Sequence, residues 1–386
     1  MNIPGLIEFL KTEENQKFFS DLQNRKELSI NEIQKLVNEY NEFPIKDLLS
    51  QIKIQKKNLS KNPDSLNLIY TEKGAQQASS KRLALYHAGK LDNYSRIADL
   101  CCGNGIDLLH LAAGKKQVFA VDLDENTLKT AKYNSSEFSN IEFILGKAED
   151  FNEAVDAIFI DPDRRTDSIR TVRVDNMSPA LSDILQLRSI TSNIAIKLSP
   201  ATDYSSIKLV DTHTFEFISE DGVLKEILLC FGDLATQNVT RKAILLPDGI
   251  HLSNSDSSIP VVGIQEFIFE PDPAVIRAGL VQELGSEIGY SLIDNHLALL
   301  TGKQAVFNNF GSTYKTITSF PYDLKMLHKY CRQQQIGELV IKTRGFPITV
   351  EKFRHNLKLN GKQKAILFII RLGDDHEMII AERSTK

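Results

Sequence analysis

From residue 97 to about residue 246, short apolar runs alternate with stretches whose apolar residues recur at helical spacing. The runs fall at 97–100, 118–121, 141–145, 157–160, 193–198 and 227–231. That alternation predicts an α/β domain, a doubly wound sheet with helices on both faces. Ligands in such sheets sit beyond the carboxyl ends of the strands. Asp99, Asp122, the loop 146–150 and Asp161 are therefore expected along one edge.

The flanks read differently. Residues 1–68 are polar and helical in pattern. Ser29 and Glu32 have capping-box spacing, and the helix behind them carries Ile33, Leu36, Val37 and Tyr40 on one stripe. Pro44 ends it, and Ile45, Leu48, Leu49 and Ile52 mark the next helix, which runs into a lysine-rich, solvated stretch at 53–61. Beyond Pro247, the serine-rich stretch 253–258 reads as a connector. A strand is predicted over 261–269, and Asp272-Pro273 has the form of an N-cap and first helical position. The last unit reads as helix 324–335, strand 338–342, helix 350–357 and strands 365–371 and 377–381, with Gly373-Asp374-Asp375 as a hairpin turn. The divisions predicted are a helical region 1–88, a cofactor domain 89–250, a short segment 259–311 and a terminal α+β module 312–386.

The most informative stretch joins the first two runs. The first strand ends at Asp99, and Gly103 and Gly105 follow before a helical pattern through Leu108 and Leu111. Glycines there permit positive φ and close approach of backbone to a ligand. The second run ends at Asp122, placed to bind ribose hydroxyls. A nicotinamide site wants a third glycine, but Leu108 stands there. The pattern D-x-x-x-G-x-G with a downstream acid resembles motifs I and II of class I S-adenosylmethionine (SAM)-dependent methyltransferases. That resemblance implies SAM as cofactor, held by Asp99, Cys101, Gly103, Gly105, Asp122 and Leu123. In that family the loop after the third strand contacts adenine. Ala148 fits the backbone role, Lys147 stands where an acid is commonest, and Glu149 or a carbonyl is left to accept from the adenine amine. Upstream, Tyr70, Gln77 and Ser79 belong to a polar segment that in related enzymes closes over the methionine end of SAM; Ser79 also reads as a plain N-cap.

Asp161-Pro162-Asp163-Arg164-Arg165 follows the fourth run and resembles the D/N-P-P-aromatic motif of enzymes that methylate exocyclic amines. An amine nucleophile must aim its lone pair and hand its protons to acceptors, which a carboxylate and a proline-turn carbonyl supply. Asp163 and Arg164 replace the second proline and the aromatic, so Asp161 and Arg164 are the candidate catalytic residues. Lys197, at a later strand end, is a candidate for a phosphate or anionic substrate or for a plain solvated end, and Lys342 and Arg344, before Gly345, for a phosphate backbone or for capping a turn.

Charge sharpens the picture. The chain carries −4 overall, but residues 312–386 hold 14 Lys and Arg against 7 Asp and Glu, a net of +7 that leaves −11 elsewhere. A basic module on an acidic body points to a nucleic-acid partner over a solvated small domain. The four cysteines, Cys101, Cys102, Cys230 and Cys331, form no C-x-x-C pair, which argues against a structural metal and for a reducing cytoplasm. No signal-peptide pattern and no apolar window of about 20 residues is present, so no membrane is expected.

Taken with 77–80, 270–280 and 341–345, these motifs resemble the bacterial class I SAM-dependent methyltransferases that carry a C-terminal THUMP-like domain behind a ferredoxin-like segment. The resemblance implies a Rossmann-like sheet, with a helical region before it and a C-terminal α+β region after it. It also implies methyl transfer to RNA, because THUMP-type domains bind RNA. A base amine is the expected target. No cysteine sits in a loop like those of C5-pyrimidine methyltransferases. The alternatives are a SAM- and RNA-binding protein without catalysis, and a methyltransferase for a protein or small molecule.

Overall fold

The computed structural model describes the chain apart from residues 115, 164, 167, 168, 171–173, 347–352, 354–356, 358 and 386, and the side chains of 165, 166, 169, 170 and 175. The described residues form two compact units: unit 1 is Met1–Thr214 with Glu226–Asn238, and unit 2 is Phe215–Lys225 with Val239–Lys386.

Unit 1 opens with four helices, α1 (Ile3–Phe9), α2 (Glu13–Gln23), α3 (Ile30–Glu39) and α4 (Ile45–Asn58). Ser29 caps α3 and Glu32 reaches back to the Ser29 amide, the capping box expected from the sequence. The apolar stripes of the four helices meet in one cluster around Leu6, Leu48 and Ile52. Leu6 and Leu48 are fully buried, each worth about 1.5–3 kcal/mol relative to exposure. Short helices α5 (Glu72–Gln77) and α6 (Lys81–Lys90) lead into the sheet. The Asn134 side chain holds both the N–H and the C=O of Ile69 at 2.8 Å, and also donates to the Asn104 carbonyl. This fixes the segment before α5 beside the glycine loop.

The sheet of unit 1 contains β1 (Arg96–Leu100), β2 (Gln117–Asp122), β3 (Ile141–Leu145), β4 (Ala157–Ile160) and β5 (Ile194–Leu198), with helices α7 (Ile106–Leu111), α8 (Glu125–Asn134) and α9 (Leu181–Gln186) between strands. Strand order is β3-β2-β1-β4-β5, all parallel, and the second half of a later strand, β7 (Val223–Phe231), pairs antiparallel with β5. Order reverses at β1, where β2 and β4 lie on opposite sides. A switch point of this kind opens a crevice at the carboxyl ends of the strands. All six apolar runs in the sequence fall in these strands.

Unit 2 holds most of β6 (His213–Glu220), with β8 (Arg241–Leu246) parallel to it and β9 (Ile250–Ser253) antiparallel to β8. Its second sheet contains β10 (Phe267–Pro271), β11 (Ser291–Leu292), β12 (Leu300–Gly302), β13 (Gly311–Pro321), β14 (Ile336–Arg344), β15 (Gln363–Leu372) and β16 (Asp375–Arg383), in the order β11-β12-β10-β13-β16-β15-β14. Helices α10 (Pro273–Ala278), α11 (Val281–Ile288) and α12 (Leu324–Gln333) complete the unit. Asp272 caps α10 as read from the sequence, and the turn at Gly373 joins β15 to β16. The strand expected over 261–269 begins only at Phe267, because Gly263 takes a φ of +72° and breaks the extended run. The helix expected at 350–357 lies mostly outside the described residues. No helix among the described residues is long and apolar enough to cross a membrane.

Candidate active site

At the switch point a cavity of about 700 Å³ opens over the ends of β1, β2 and β4. Local backbone geometry builds its floor. Cys101 turns at φ +63°, Gly103 at +58° and Gly105 at +79°. The two glycines serve different ends. A Cβ on Gly105 would lie 3.1 Å from the Ala131 backbone, so this glycine lets α7 pack on α8. A Cβ on Gly103 would meet no protein atom within 4 Å, so the space beside it belongs to the cavity.

Asp99 is buried at the end of β1, and its Oδ2 has no hydrogen-bond partner among the described residues. Burial first, then the nearby Asp107, Asp161 and Asp122 carboxylates, hold its carboxyl well above the usual range. A cationic group entering the cavity would meet this unsatisfied oxygen. Asp122 accepts from the Gly103 amide and the Asp124 amide, both at 3.0 Å, and burial pushes its carboxyl up against those bonds. Leu123 follows with an exposed side chain in the cavity wall, an apolar face for a ring system.

Gln77 and Ser79 reach the cavity from the α5–α6 segment. The Gln77 amide donates to Asp163 at 3.0 Å, and Lys73 pairs with the same carboxylate. The α5 segment is thereby tied to the loop after β4. The helix cap belongs to Ser80, whose side chain accepts from Leu83. Ser79 donates instead to Asp107 at 2.7 Å and accepts from Lys197 at 3.0 Å.

Four of the candidate residues, Tyr70, Ala148, Glu149 and Lys197, do not line the cavity. Tyr70 is fully buried among Leu68, Ala75, Ala84 and Ile106, its backbone held by Gln51, and does not line the cavity. Ala148 is buried and Glu149 exposed, and neither is in the cavity lining. Lys197 is not a solvated strand end for phosphate. It is 4% exposed, with Nζ 2.8 Å from Asp161 and 3.8 Å from Glu226. Arg164 lies outside the described residues.

Behind the cavity stands a buried ionic network that the sequence reading did not assign. His87 on α6 bonds Asp107 through Nδ1 at 2.7 Å and Glu226 through Nε2 at 2.5 Å. Burial would lower the His87 pKa, but the Glu226 and Asp107 carboxylates lift it to about 10. Burial would raise Asp107, but His87, then Lys197, take it down to about 2. Lys197 is likewise driven down by burial and held above the ordinary lysine range by Asp161, Glu226 and Asp107. Two cations thus face three carboxylates, Asp107, Asp161 and Glu226, an excess of negative charge beside the cavity. The sequence signal was available: His87 sits four residues after Leu83 on the inward stripe of its helix, and Glu226 immediately precedes the apolar run 227–231.

In unit 2, Lys342 and Arg344 do not project as solvated charges, since both pair with Glu270. Among the described residues no group of His, Cys, Asp and Glu is placed to hold a metal ion.

The donor set fits a cationic nucleoside cofactor. Asp99, Cys101, Gly103, Asp122, Leu123, Gln77 and Ser79 all line one cavity, with an orphaned buried carboxyl and a glycine whose Cβ position is open. Comparison with known proteins agrees. Residues 97–174 match the family described as methyltransferase domain, and residues 311–383 match THUMP domain-like. An uncharacterized SAM-dependent methyltransferase from Mycobacterium tuberculosis is 26% identical over 311 residues, covering 79% of this chain and 85% of its own. A tRNA/tmRNA (uracil-C(5))-methyltransferase from Pectobacterium atrosepticum is 26% identical over 151 residues, 34% of this chain and 41% of its own. A solved Porphyromonas gingivalis W83 protein, described as a candidate methyltransferase, shares the fold with a TM-score of 0.78 at 19% identity, covering 96% of this chain and 97% of its own. The chain therefore carries a class I SAM-dependent methyltransferase domain, with helices before it and a C-terminal α+β region that includes a THUMP-like domain.

Proposed function

We propose that the chain transfers a methyl group from SAM to RNA, at a base amine, with Asp161 as the residue that orients the nucleophile. The observation that carries this reading is the Asp161 carboxylate in the cavity wall at the tip of β4, with Lys197 on its Oδ2. That leaves Oδ1 to accept from a substrate N–H. Bound SAM supplies an electrophilic methyl on a sulfonium. Asp99, Gly103, Asp122 and Leu123 would hold the cofactor, with Gln77 and Ser79 on the side of the α5 segment. Asp161 and the Pro162 turn would receive the amine protons and aim the lone pair.

Three observations support RNA as substrate: the THUMP-like match, the +7 net charge of residues 312–386, and partial likeness to tRNA methyltransferases. Those relatives are named for uracil C5, a reaction that needs a nucleophilic thiolate. Cys101 is the cysteine nearest that role, together with its buried neighbour Cys102. Burial, then Asp122, Asp161 and Asp99, hold the Cys101 thiol well above its ordinary pKa. A thiol kept protonated among carboxylates is a poor nucleophile, which favours an amine target. Labelled SAM incubated with cellular RNA, followed by nucleoside mass spectrometry, tests the reading. A methylated base amine supports it. Label only in protein or small molecules, or no transfer at all, overturns it.

A further inference from the structure

A second cavity, of about 680 Å³, lies wholly within unit 2. That is the size range of small-ligand sites. A curl in the second sheet shapes it. Glu270 stands on β10, and Lys342 and Arg344 stand on β14, four strand steps away. At the usual strand spacing a flat sheet would separate those strands by about 19 Å. Yet the Glu270 carboxylate accepts from Lys342 through Oε2 and from Arg344 through Oε1 at 2.7 Å, and the Tyr314 hydroxyl donates to Oε2 at 3.0 Å. The sheet is therefore strongly coiled, and one carboxylate latches the edge strand across the concave side. Lys342 and Arg344 are two residues apart and so share a face of β14.

The charge balance of this latch matters. Three donors already engage the two oxygens of Glu270, so the residue holds cations in place and is not open to an incoming one. Two cations on one carboxylate leave one positive charge in excess at the latch, while the lining as a whole sets Lys342, Arg344 and Arg383 against Glu270, Asp272, Asp221 and Asp248. Arg383, on β16, lines the same cavity, and its guanidinium reaches the Ser312 hydroxyl at 3.3 Å. Burial pushes the Lys342 ammonium down, but Glu270 and Tyr314 hold its pKa above the ordinary range, and it lies 5.3 Å from the Tyr314 ring centre. Of the acids on the cavity, Asp272 receives the Ala274 amide at 2.8 Å. Asp221 and Asp248 come from the turns after β6 and β8.

We propose that this cavity binds the phosphate group of a nucleotide, free or within RNA, on Lys342, Arg344 and Arg383. Two guanidinium forks and an ammonium, Lys342 and Arg344 from β14 and Arg383 from β16, suit a tetrahedral anion with several acceptor oxygens. The Asp248 carboxylate would accept from sugar hydroxyls or a base amine, which a bare anion lacks. The inference does not depend on the methyl-transfer reading, because every residue in it lies outside unit 1.

Calorimetric titration of the full chain, with S-adenosylhomocysteine present to saturate the first cavity, tests it. The titrants are adenosine 5′-monophosphate, adenosine and a short single-stranded RNA. The monophosphate is expected to bind about tenfold or more tightly than adenosine. Arg383→Ala, which leaves the Glu270 latch intact, and Lys342→Gln should each weaken monophosphate binding about tenfold or more. Arg383→Lys should recover part of it, and S-adenosylhomocysteine affinity should not change. Equal losses with RNA assign the phosphate to RNA; losses with the mononucleotide alone assign it to a free nucleotide, and either supports the site. Equal affinity for adenosine and its monophosphate, or binding of both phosphorylated titrants unmoved by Arg383→Ala and Lys342→Gln, overturns it.

Discussion

Lys197 places its ammonium 2.8 Å from the Asp161 carboxylate while remaining 4% exposed. A lysine read from the sequence as a substrate contact or a solvated strand end is buried as the internal counter-ion of the proposed catalytic residue. Replacing it with Met would leave Asp161 and Glu226 facing each other with one cation fewer. Breaking a buried pair in this way costs about 3–5 kcal/mol. Urea unfolding of Lys197→Met should show a loss of that order; a change below about 1 kcal/mol would mean the pair is effectively solvated.

The two glycines of the loop should separate folding from binding. Gly105→Ala combines a φ of +79° with a Cβ 3.1 Å from the Ala131 backbone, so it should lower the melting temperature. Gly103→Ala has the strained φ of +58° but no protein atom within 4 Å. Its conformational cost should be about 1–2 kcal/mol, with an additional loss of SAM affinity. Thermal melts and calorimetry on both variants distinguish the cases. If Gly103→Ala binds SAM as the wild type does, the open space beside Gly103 is not cofactor space.

Asp122→Ala should weaken SAM binding by about 1.5–3 kcal/mol for each charge-assisted hydrogen bond lost. The same substitution frees the Gly103 and Asp124 amides. An unchanged dissociation constant would move the ribose acid elsewhere.

The His87 network makes stability depend on pH at both ends. Its pKa rises from 6.5 unfolded to about 10 folded, so its contribution is full below 6.5 and is lost as pH rises through about 10. Asp107 falls from 3.8 to about 2, so its contribution is present above 3.8 and is lost as pH falls through about 2. Denaturation from pH 6 to 10 should therefore show declining stability, with a shallower decline in His87→Gln. Equal slopes in the two proteins would show that His87 is neutral in the folded state.

What was legible in the sequence was whatever local pattern decides. All six apolar runs are strands because apolar periodicity and burial coincide there. β6 went unread because Glu216 and Glu220 interrupt its apolar run, although both are buried. The glycine loop, Asp99 and Asp122 could be placed at one edge because β1 and β2 are parallel neighbours and their tips share an end. That Tyr70 and Ala148 stand apart from the cavity lining was not legible, because whether a loop residue faces the cavity or the core depends on packing that no short window contains. Lys197, Glu226 and His87 meet across 139 residues of chain, and only the strand order brings them together.

The central claim is that Asp161 orients an RNA base amine for methylation by SAM. Transfer of labelled methyl to RNA, compared between wild type and Asp161→Ala and read by nucleoside mass spectrometry, tests it most directly. The prediction is one methylated base amine with the wild type, none with Asp161→Ala, and SAM affinity largely retained in the variant. Label on the ribose 2′-hydroxyl, or full transfer by Asp161→Ala, would contradict it.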